Sequence, residues 1–411
     1  MTEFPHLAST PLGVGIAVIG GGLAGLPLAI ACAGAGIRTA VVDREPPSAM
    51  LAEPFDGRSS AIAFGSQRVL AGLGIWQHVE AAQPILDIRV VDQGSPLFLH
   101  YDHREVGEAP FGWIVENRLL RRALFARLAE LPDLVHLAPQ SVESVERNAD
   151  GAVIRLGDGG TIRSRLVVAA DGRNSALRKA AGIRTLGAGY AQHAITCTVA
   201  HDKPHHGVAV EHFLPAGPFA ILPMTGDRSS IVWTERARLA PAMMRLDKPD
   251  FDRELARRFG NFLGTVESVG PRWSYPLEIR YAERMIDRRL ALVGDAAHVI
   301  HPIAGQGLNL GIRDVAALAQ LVVDACRLGL DPGMPDLLAR YQRWRRVDTI
   351  ALSAVTDGLN RLFSNDLAPV RLVRDVGLAL VGKAPPLKRL FIRHAMGMVG
   401  TLPRLVRGEA L

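Results

Sequence analysis

The feature that most constrains this chain is a run of glycines set between an apolar strand and a helix. Residues 14–19, VGIAVI, form a short apolar stretch. GGGLAG follows at 20–25 and opens the small, apolar LAGLPLAIACAGAG, which suits a buried helix. Pro27 falls in the first turn of that helix, where a missing N–H costs little. RTAVVD then reads as a second strand, so the chain opens on a βαβ unit, in which two parallel strands need a crossover helix. In that context Gly20 permits the tight turn, Gly22 lets the backbone approach a pyrophosphate, and Gly25 lets helix and strand pack closely. The helix N–H groups then face the phosphates. Asp43 ends the second strand, where its carboxylate can accept hydrogen bonds from an adenosine ribose. An acid there favours a ribose hydroxyl over a phosphate, but this element alone does not separate NAD from FAD.

At 411 residues the chain exceeds what one hydrophobic core usually serves, so two domains are expected. Its 48% apolar and 21% charged residues match globular proteins and exclude a disordered or fibrous chain. Cys32, Cys197 and Cys326 lie far apart with no CxxC pair, which points to neither a metal site nor a disulfide framework and fits a reducing compartment. The first residues carry no signal or transit pattern. No uncharged apolar run reaches the roughly 18 residues of a spanning helix. The expected location is therefore cytoplasmic, with any membrane association peripheral, on the cytoplasmic face of the inner membrane. The formal charge of +6 is modest and arginine is spread along the chain, so nucleic acid is not expected as a partner.

Further along, helical stretches at SQRVLAGLGIW and NRLLRRALFARLAEL flank a strand-like IRVV. Residues 142–164 alternate as a small antiparallel meander before the buried strand LVVAAD. Alternation in HAITCTVA, VAVEHFL and SSIVWT predicts an antiparallel sheet, and buried-strand character returns at LALVG. The expected architecture is α/β. A discontinuous dinucleotide domain spans 1–186 and 276–345, an antiparallel sheet domain for substrate spans 187–275, and a C-terminal helical segment spans 346–411.

Two later segments carry chemistry. VVAADGRNSALRKAAG delivers Asp171 to a turn, with Ser175 and Arg178 on the next helix; taken alone, this is also what ordinary helix capping looks like. RLALVGDAAHVIHPIAGQGLNLGIRD, at 289–314, is the most informative stretch. Asp295 ends a strand and can hold sugar-like hydroxyls, while Gly305, Gly307 and a helix beginning near Asn309 present backbone N–H groups. A helix N-terminus aimed at the pyrimidine edge of a reduced flavin stabilises its negative charge.

In this order the three segments resemble the aromatic-ring hydroxylase family of FAD monooxygenases over nearly the whole chain. VENRLLRRAL, GPFAILPM, SSIVWT, GDAAHVIHPIAGQGLNLGIRD and TDGLNRLFSN resemble segments of its ubiquinone-biosynthesis branch. The resemblance implies a Rossmann-like FAD-binding domain in which Gly20, Gly22, Gly25 and Asp43 bind the ADP half of FAD. Arg58 would lie near the pyrophosphate or flavin, and Asn117 would contact the cofactor from its helix. Asp171 would sit in the family's second fingerprint and Asp295 on the ribityl chain. The backbone at Gly305, Gly307, Leu308 and Asn309 would run along the isoalloxazine. The family often has glutamate where this chain has Asp43.

The implied reaction uses NAD(P)H and dioxygen to form a flavin hydroperoxide, which passes one oxygen atom to a phenolic ring, most simply a polyprenylated intermediate of ubiquinone biosynthesis. His298 and His301 could assist proton transfer, with His301 the catalytic choice, although a histidine in such a loop also serves as a structural hydrogen-bonding residue. Phe213, Phe219, Leu222, Pro223, Met224 and Trp233 either wall an apolar pocket over the flavin or are plain core. Arg371, Arg374, Lys388, Arg389 and Arg393, set among apolar residues, suit either an anionic lipid surface or an apolar face packed on the main domain with its arginines solvated, and the expected associations are with a membrane periphery or a biosynthetic complex. A monooxygenase for a small soluble aromatic compound and a non-catalytic FAD-binding subunit are the alternatives.

Overall fold

The computed structural model describes residues 11–52, 56–92, 98–301, 305–363 and 385–411. Strand Leu12–Ile19 lies at the centre of a parallel sheet, with Thr39–Val42 and then Leu134–Leu137 on one side, and Thr161–Ala169 and then Leu290–Leu292 on the other. A parallel sheet is covered on both faces, which is why Ile16 to Val18 and Leu166 to Ala169 are unbroken buried runs. Helix Gly25–Gly34 packs against Gln306–Arg327, a helix from the far end of the chain. The predicted meander is present as Val142–Arg147, Ala152–Leu156 and the first half of Thr161–Ala169, a strand whose other edge pairs in parallel with Leu12–Ile19 along nearly its whole length.

A second, eight-stranded sheet runs in the order His298–Val299, Val266–Ala282, Thr185–His201, Arg228–Arg236, Gly217–Met224, Val208–Leu214, Asp87–Asp92, Phe98–Asp102. Every pairing is antiparallel except that of Val208–Leu214 with Asp87–Asp92. The sheet therefore reaches beyond the expected span of 187–275. Its two longest strands overrun the boundaries at 187 and 275, and three strands, Asp87–Asp92, Phe98–Asp102 and His298–Val299, come from the segments assigned to the dinucleotide domain. The sequence showed strand character at IRVV, but a parallel pairing with residues more than a hundred positions away leaves no local mark. Helix Pro335–Phe363 likewise runs without a break through the expected boundary at 345.

Helix Lys248–Phe259 covers one face of this sheet. Phe251, Leu255 and Phe259 recur every four residues along it and pack on Ile195, Cys197, Phe219, Ile221, Ile231 and Trp233. The other face looks toward the dinucleotide domain. There Ala209, Leu222 and Met224 pack with Ile85, Phe111 and Ile114, around the small sheet Ser59–Ala63, Gly112–Glu116, Gln83–Ile85, and with Ile392 and Met396 at the C-terminal helix Pro385–Ala395. The residues expected to wall a pocket thus divide by face. Phe219 and Trp233 are core on the far side, and Leu222 and Met224 lie on the near side. Strand alternation makes such a division unavoidable, and only the position of the covering helix decides which half is which.

Candidate cofactor and active site

The glycines of the first turn do different work. Gly20 has φ +107°, and a Cβ there would lie 2.3 Å from the Ala170 carbonyl oxygen. A Cβ on Gly25 would lie 1.8 Å from the Gly20 carbonyl oxygen. Both are fixed by the packing of the chain on itself. At Gly22, in contrast, a Cβ would meet no atom of the described residues within 4 Å, which leaves room where a ligand phosphate needs close approach to backbone. Asp43 stands beside the turn, its Oδ2 accepting from the Gly21 N–H at 2.5 Å and its Oδ1 from the Glu45 N–H at 2.8 Å. Each oxygen keeps a further lone pair for a ribose hydroxyl.

The second turn meets the first. Gly294, at φ +59°, opens a short 3₁₀ turn to Ala296; a Cβ on it would lie 3.1 Å from the Ala24 Cβ. A Cβ on Gly311 would lie 3.2 Å from the Gly294 Cα, so helix Gln306–Arg327 is pressed against both turns. Behind them Asp314 is a fully buried hub. Its Oδ2 accepts from the Gly294 N–H at 3.0 Å and pairs with His298 Nε2 at 2.6 Å, and its Oδ1 accepts from Arg345 Nε at 2.7 Å. Burial alone would raise its pKa, but the charges of His298 and Arg345 and their hydrogen bonds outweigh it and hold the carboxyl below its usual range. Asp295 is exposed, between buried neighbours.

Helix Gln306–Arg327 begins three residues before the position expected for it, because Gly305 takes a left-handed conformation (φ +61°) and ends the preceding loop there. A Cβ on Gly305 would lie 2.8 Å from the Ala61 Cβ, another close approach that requires glycine. No side chain caps the N-terminus of this helix, and the N–H groups of Gly307 and Leu308 precede its first i→i−4 bond. A Cβ on Gly307, as on Gly22, would meet no atom of the described residues within 4 Å. Leu308 is half-buried. The Asn309 side chain is engaged elsewhere. It accepts from the Ala63 N–H at 2.8 Å and donates to the carbonyls of Ala61 at 2.8 Å and Gly305 at 2.9 Å, clamping the helix to strand Ser59–Ala63. Only its backbone is left to face a cofactor.

Arg58 and Asn117 are brought together by a residue that sequence reading missed. The buried carboxylate of Asp56 accepts from Arg58 Nε at 2.8 Å, Asn117 Nδ2 at 2.9 Å and an Arg121 guanidinium nitrogen at 2.7 Å. Burial opposes ionisation of Asp56, but the Arg58 hydrogen bond and charge, with Arg121 and Asn117, pull its pKa well below the carboxylate range. Asn117 also accepts from the Ser60 hydroxyl at 2.6 Å, so both ends of its amide are engaged. The pKa of Arg58 is raised, first by its hydrogen bond to Asp56 against the effect of burial, then by the Asp56 charge and, more weakly, by Tyr275 and Asp295. Its guanidinium lies 5.7 Å from the Tyr275 ring centroid.

Asp171 is placed differently. Its Oδ2 accepts from the N–H groups of Ala176 at 2.7 Å and Leu177 at 3.3 Å, so the side chain caps its own short helix, one of the two readings its sequence allowed. The residue of that segment which reaches the site is Arg178, whose guanidinium donates to the Ala296 carbonyl at 2.8 Å. His301 is fully buried, edge-on to Tyr190 with centroids 5.0 Å apart. His298 is held in the Asp314 pair rather than facing open space. Asp314 carried a usable signal, an Arg-Asp pair in the middle of the otherwise apolar LNLGIRDVAALAQLVV; Asp56 carried none, since two of its three partners, Asn117 and Arg121, come from a helix 61 and 65 residues further along.

A parallel-sheet domain with two converging glycine turns, joined to a broad antiparallel sheet, is the architecture of the flavin-dependent monooxygenases. The p-nitrophenol 4-monooxygenase PnpA of Pseudomonas putida DLL-E4 superposes with a TM-score of 0.80 over 95% of this chain and all of that one, at 20% identity. A family model described as FAD binding domain matches residues 14–351. "Ubiquinone hydroxylase UbiL" of Rhodospirillum rubrum is 55% identical over 96% of this chain and 93% of its own length. "3-demethoxyubiquinol 3-hydroxylase" of Escherichia coli is 34% identical over 93% and 98%. The chain belongs to the FAD binding domain family of monooxygenases, in the branch of the ubiquinone-biosynthesis hydroxylases.

Proposed function

We propose that this protein hydroxylates the phenolic ring of a polyprenylated intermediate of ubiquinone biosynthesis, with FAD as cofactor, NAD(P)H as electron donor and dioxygen as the oxygen source. The observation that carries the reading is the contact of Ala24 with Gly294 and Gly311. It sets two glycine turns side by side while Gly22 and Gly307 stay clear of the described residues. The named activities of relatives 55% and 34% identical over nearly their full lengths support the substrate class.

In this reading Gly20, Gly22, Gly25 and Asp43 hold the ADP half of FAD. Arg58 contributes charge near the pyrophosphate or flavin, kept in place by Asp56, with Asn117 acting through that carboxylate. Asp171 shapes the second fingerprint by capping its helix, and Arg178 ties that segment to the Gly294 turn. Asp295, free of the buried network behind it, takes the ribityl hydroxyls. The N–H groups of Gly305, Gly307, Leu308 and Asn309 flank the isoalloxazine, and the helix dipole favours the anionic reduced ring. Bound FAD supplies the two-electron chemistry that splits dioxygen between the ring and water. The protein's own tasks are to orient the phenol, exclude water and move protons. His301, sealed beside Tyr190, suits a structural part better than proton transfer, and a His301→Ala variant with unaltered coupled turnover would agree.

Peripheral contact with an anionic lipid surface belongs to the same reading. No helix among the described residues is long and apolar enough to cross a membrane. On helix Pro385–Ala395, Ile392 is buried against the main body, yet Leu390 and Phe391 remain 53% and 37% exposed, beside Arg389 and Arg393. Lys388 is paired with Glu105. Arg371 and Arg374 lie outside the described residues. The reading is tested by titrating the protein with FAD and following NAD(P)H oxidation with and without a prenylated phenol. Flavin uptake and phenol-stimulated oxidation are expected, whereas uptake without stimulation would favour a non-catalytic flavoprotein.

A further inference from the structure

We propose that Glu211 is the acid–base group of the substrate site, accepting the proton of the ring hydroxyl while the ring is oxygenated; the inference rests on the phenol-hydroxylase reading above. Glu211 sits on strand Val208–Leu214, where Val210 points into the core beneath helix Lys248–Phe259 and Ala209 points to the face toward the dinucleotide domain. Alternation puts Glu211 with Ala209, on the near face. Register extends the row across five further strands: Val90, Glu211, Ala220, Val232, Thr196 and Trp273 lie side by side. The far end of that row touches the proposed flavin site, because Trp273 packs directly on Gly57, next to Arg58; a Cβ on Gly57 would lie 1.8 Å from its ring.

Between Glu211 and Trp273 the row holds only Ala220, Val232 and Thr196, a floor of small side chains. Thr196 and, two residues along from Val232, Thr234 each bury a hydroxyl that has no hydrogen-bond partner among the described residues. Glu211 itself makes no ion pair or hydrogen bond among the described residues and is only partly exposed. An unpaired carboxylate on a largely apolar face is costly to fold and contributes no stability in return. An unpaired carboxyl on the sheet face turned toward the flavin fits a ring hydroxyl, and the buried hydroxyls of Thr234 and Thr196, two and three strands away, leave polar groups for the rest of the substrate.

Burial raises the Glu211 pKa to about 7, so near neutral pH the carboxylate is available and is a stronger base than an ordinary glutamate. Among the described residues no neighbouring charge shifts it. Ala220 and Val90 are its partners on the two flanking strands, and His212 is directed to the Arg258 carbonyl on the far face. Elsewhere on the near face Tyr101 is kept neutral by burial, its pKa raised to about 12, while Lys388 pairs with Glu105 and Arg228 with Glu116. On the C-terminal helix, Arg393 is exposed and His394 is held neutral by burial and by Arg313. In the proposed step a carboxylate oxygen takes the hydroxyl proton. The O–H bonding pair stays on the ring oxygen as a phenolate, which enriches the ring for attack by an electrophilic oxygen, and the proton on Glu211 later returns to solvent.

The test compares FAD-loaded wild type, Glu211→Gln and Glu211→Asp, using 2-geranylphenol in detergent as probe. Wild type should lose kcat/KM as pH falls below about 7. Glu211→Gln should lose about 100-fold in kcat with KM little changed, and its profile should lack that acid limb. Glu211→Asp should recover part of the rate with the limb restored. Mixing the probe with oxidised wild-type holoenzyme at pH 8, without donor, should produce the phenolate absorption band, absent in Glu211→Gln. A Glu211→Gln enzyme that keeps both the rate and the acid limb overturns the assignment while leaving the hydroxylase reading intact. A wild-type holoenzyme that incorporates no oxygen into the probe overturns both.

Discussion

The backbone N–H of Gly294 and the imidazole of His298 converge on one carboxylate oxygen of Asp314, at 3.0 and 2.6 Å, while the other oxygen takes Arg345 at 2.7 Å. A turn proposed to face the cofactor is thus held from behind by a fully buried ion network. Removing the charge as Asp314→Asn leaves buried His298 with a weakened partner and buried Arg345 with Asp348, at 2.7 Å, as its one remaining carboxylate among the described residues. Stability should drop by about 3–5 kcal/mol, the usual cost of breaking a buried pair from one side. Denaturant unfolding checks this, and an unchanged midpoint would mean that the network is not what holds the turn.

The Asp56 carboxyl, shared among Arg58, Asn117 and Arg121, has its pKa depressed in the folded state. Its stabilising contribution is therefore complete above the ordinary carboxylate range near pH 4 and is lost as pH falls through the depressed folded-state value. Wild type should lose stability over that acid window, and Asp56→Asn, already lower at neutral pH, should lose less. Parallel acid titrations of the two proteins by circular dichroism give the comparison.

Gly22 and Gly25 separate cofactor binding from folding. Gly25→Ala forces a methyl against the Gly20 carbonyl and should destabilise the apoprotein. At Gly22 the methyl meets no atom of the described residues, so Gly22→Ala should unfold like wild type without cofactor yet bind FAD at least about tenfold more weakly, a change of roughly 1.4 kcal/mol. Flavin fluorescence titration and thermal melts of the apoproteins distinguish the two.

Asp295 is exposed at the same turn and has no part in the Asp314 network. Asp295→Ala should leave apoprotein stability within about 0.5 kcal/mol, as for most surface changes, while lowering FAD affinity. Equal affinity in the variant would remove Asp295 from the ribityl site.

Leu390→Glu combined with Phe391→Glu should abolish flotation with anionic liposomes and spare activity on a detergent-dispersed substrate. Equal flotation of variant and wild type would discard the lipid-facing role of this helix.

Much of the dinucleotide domain was legible because its constraints are local. The glycine turn, Pro27 in the first turn and Asp43 at the end of the next strand lie within one βαβ unit, and Gly294 and Gly305 lie within one motif. What was not legible depends on partners distant in sequence. Strand Asp87–Asp92 joins the second sheet by pairing with residues 208–213, and Asp56 gains its meaning only when Asn117 and Arg121 arrive from a helix. The apolar strands showed clear alternation, yet whether Trp233 or Leu222 faced the flavin domain waited on where helix Lys248–Phe259 lay down. Glu211 in VAVEHFL read as the polar member of such an alternation, and the side on which it lies is what gives it a candidate role.

The central claim, that a cofactor gripped by both glycine turns drives hydroxylation of a phenolic ring, is tested most directly by the mass of the product made from 2-geranylphenol by FAD-loaded enzyme with NAD(P)H under ¹⁸O₂. The account predicts a ring carrying one ¹⁸O atom, with the label absent when FAD is withheld. Unlabelled product, or unchanged phenol despite bound flavin and consumed NAD(P)H, would contradict it.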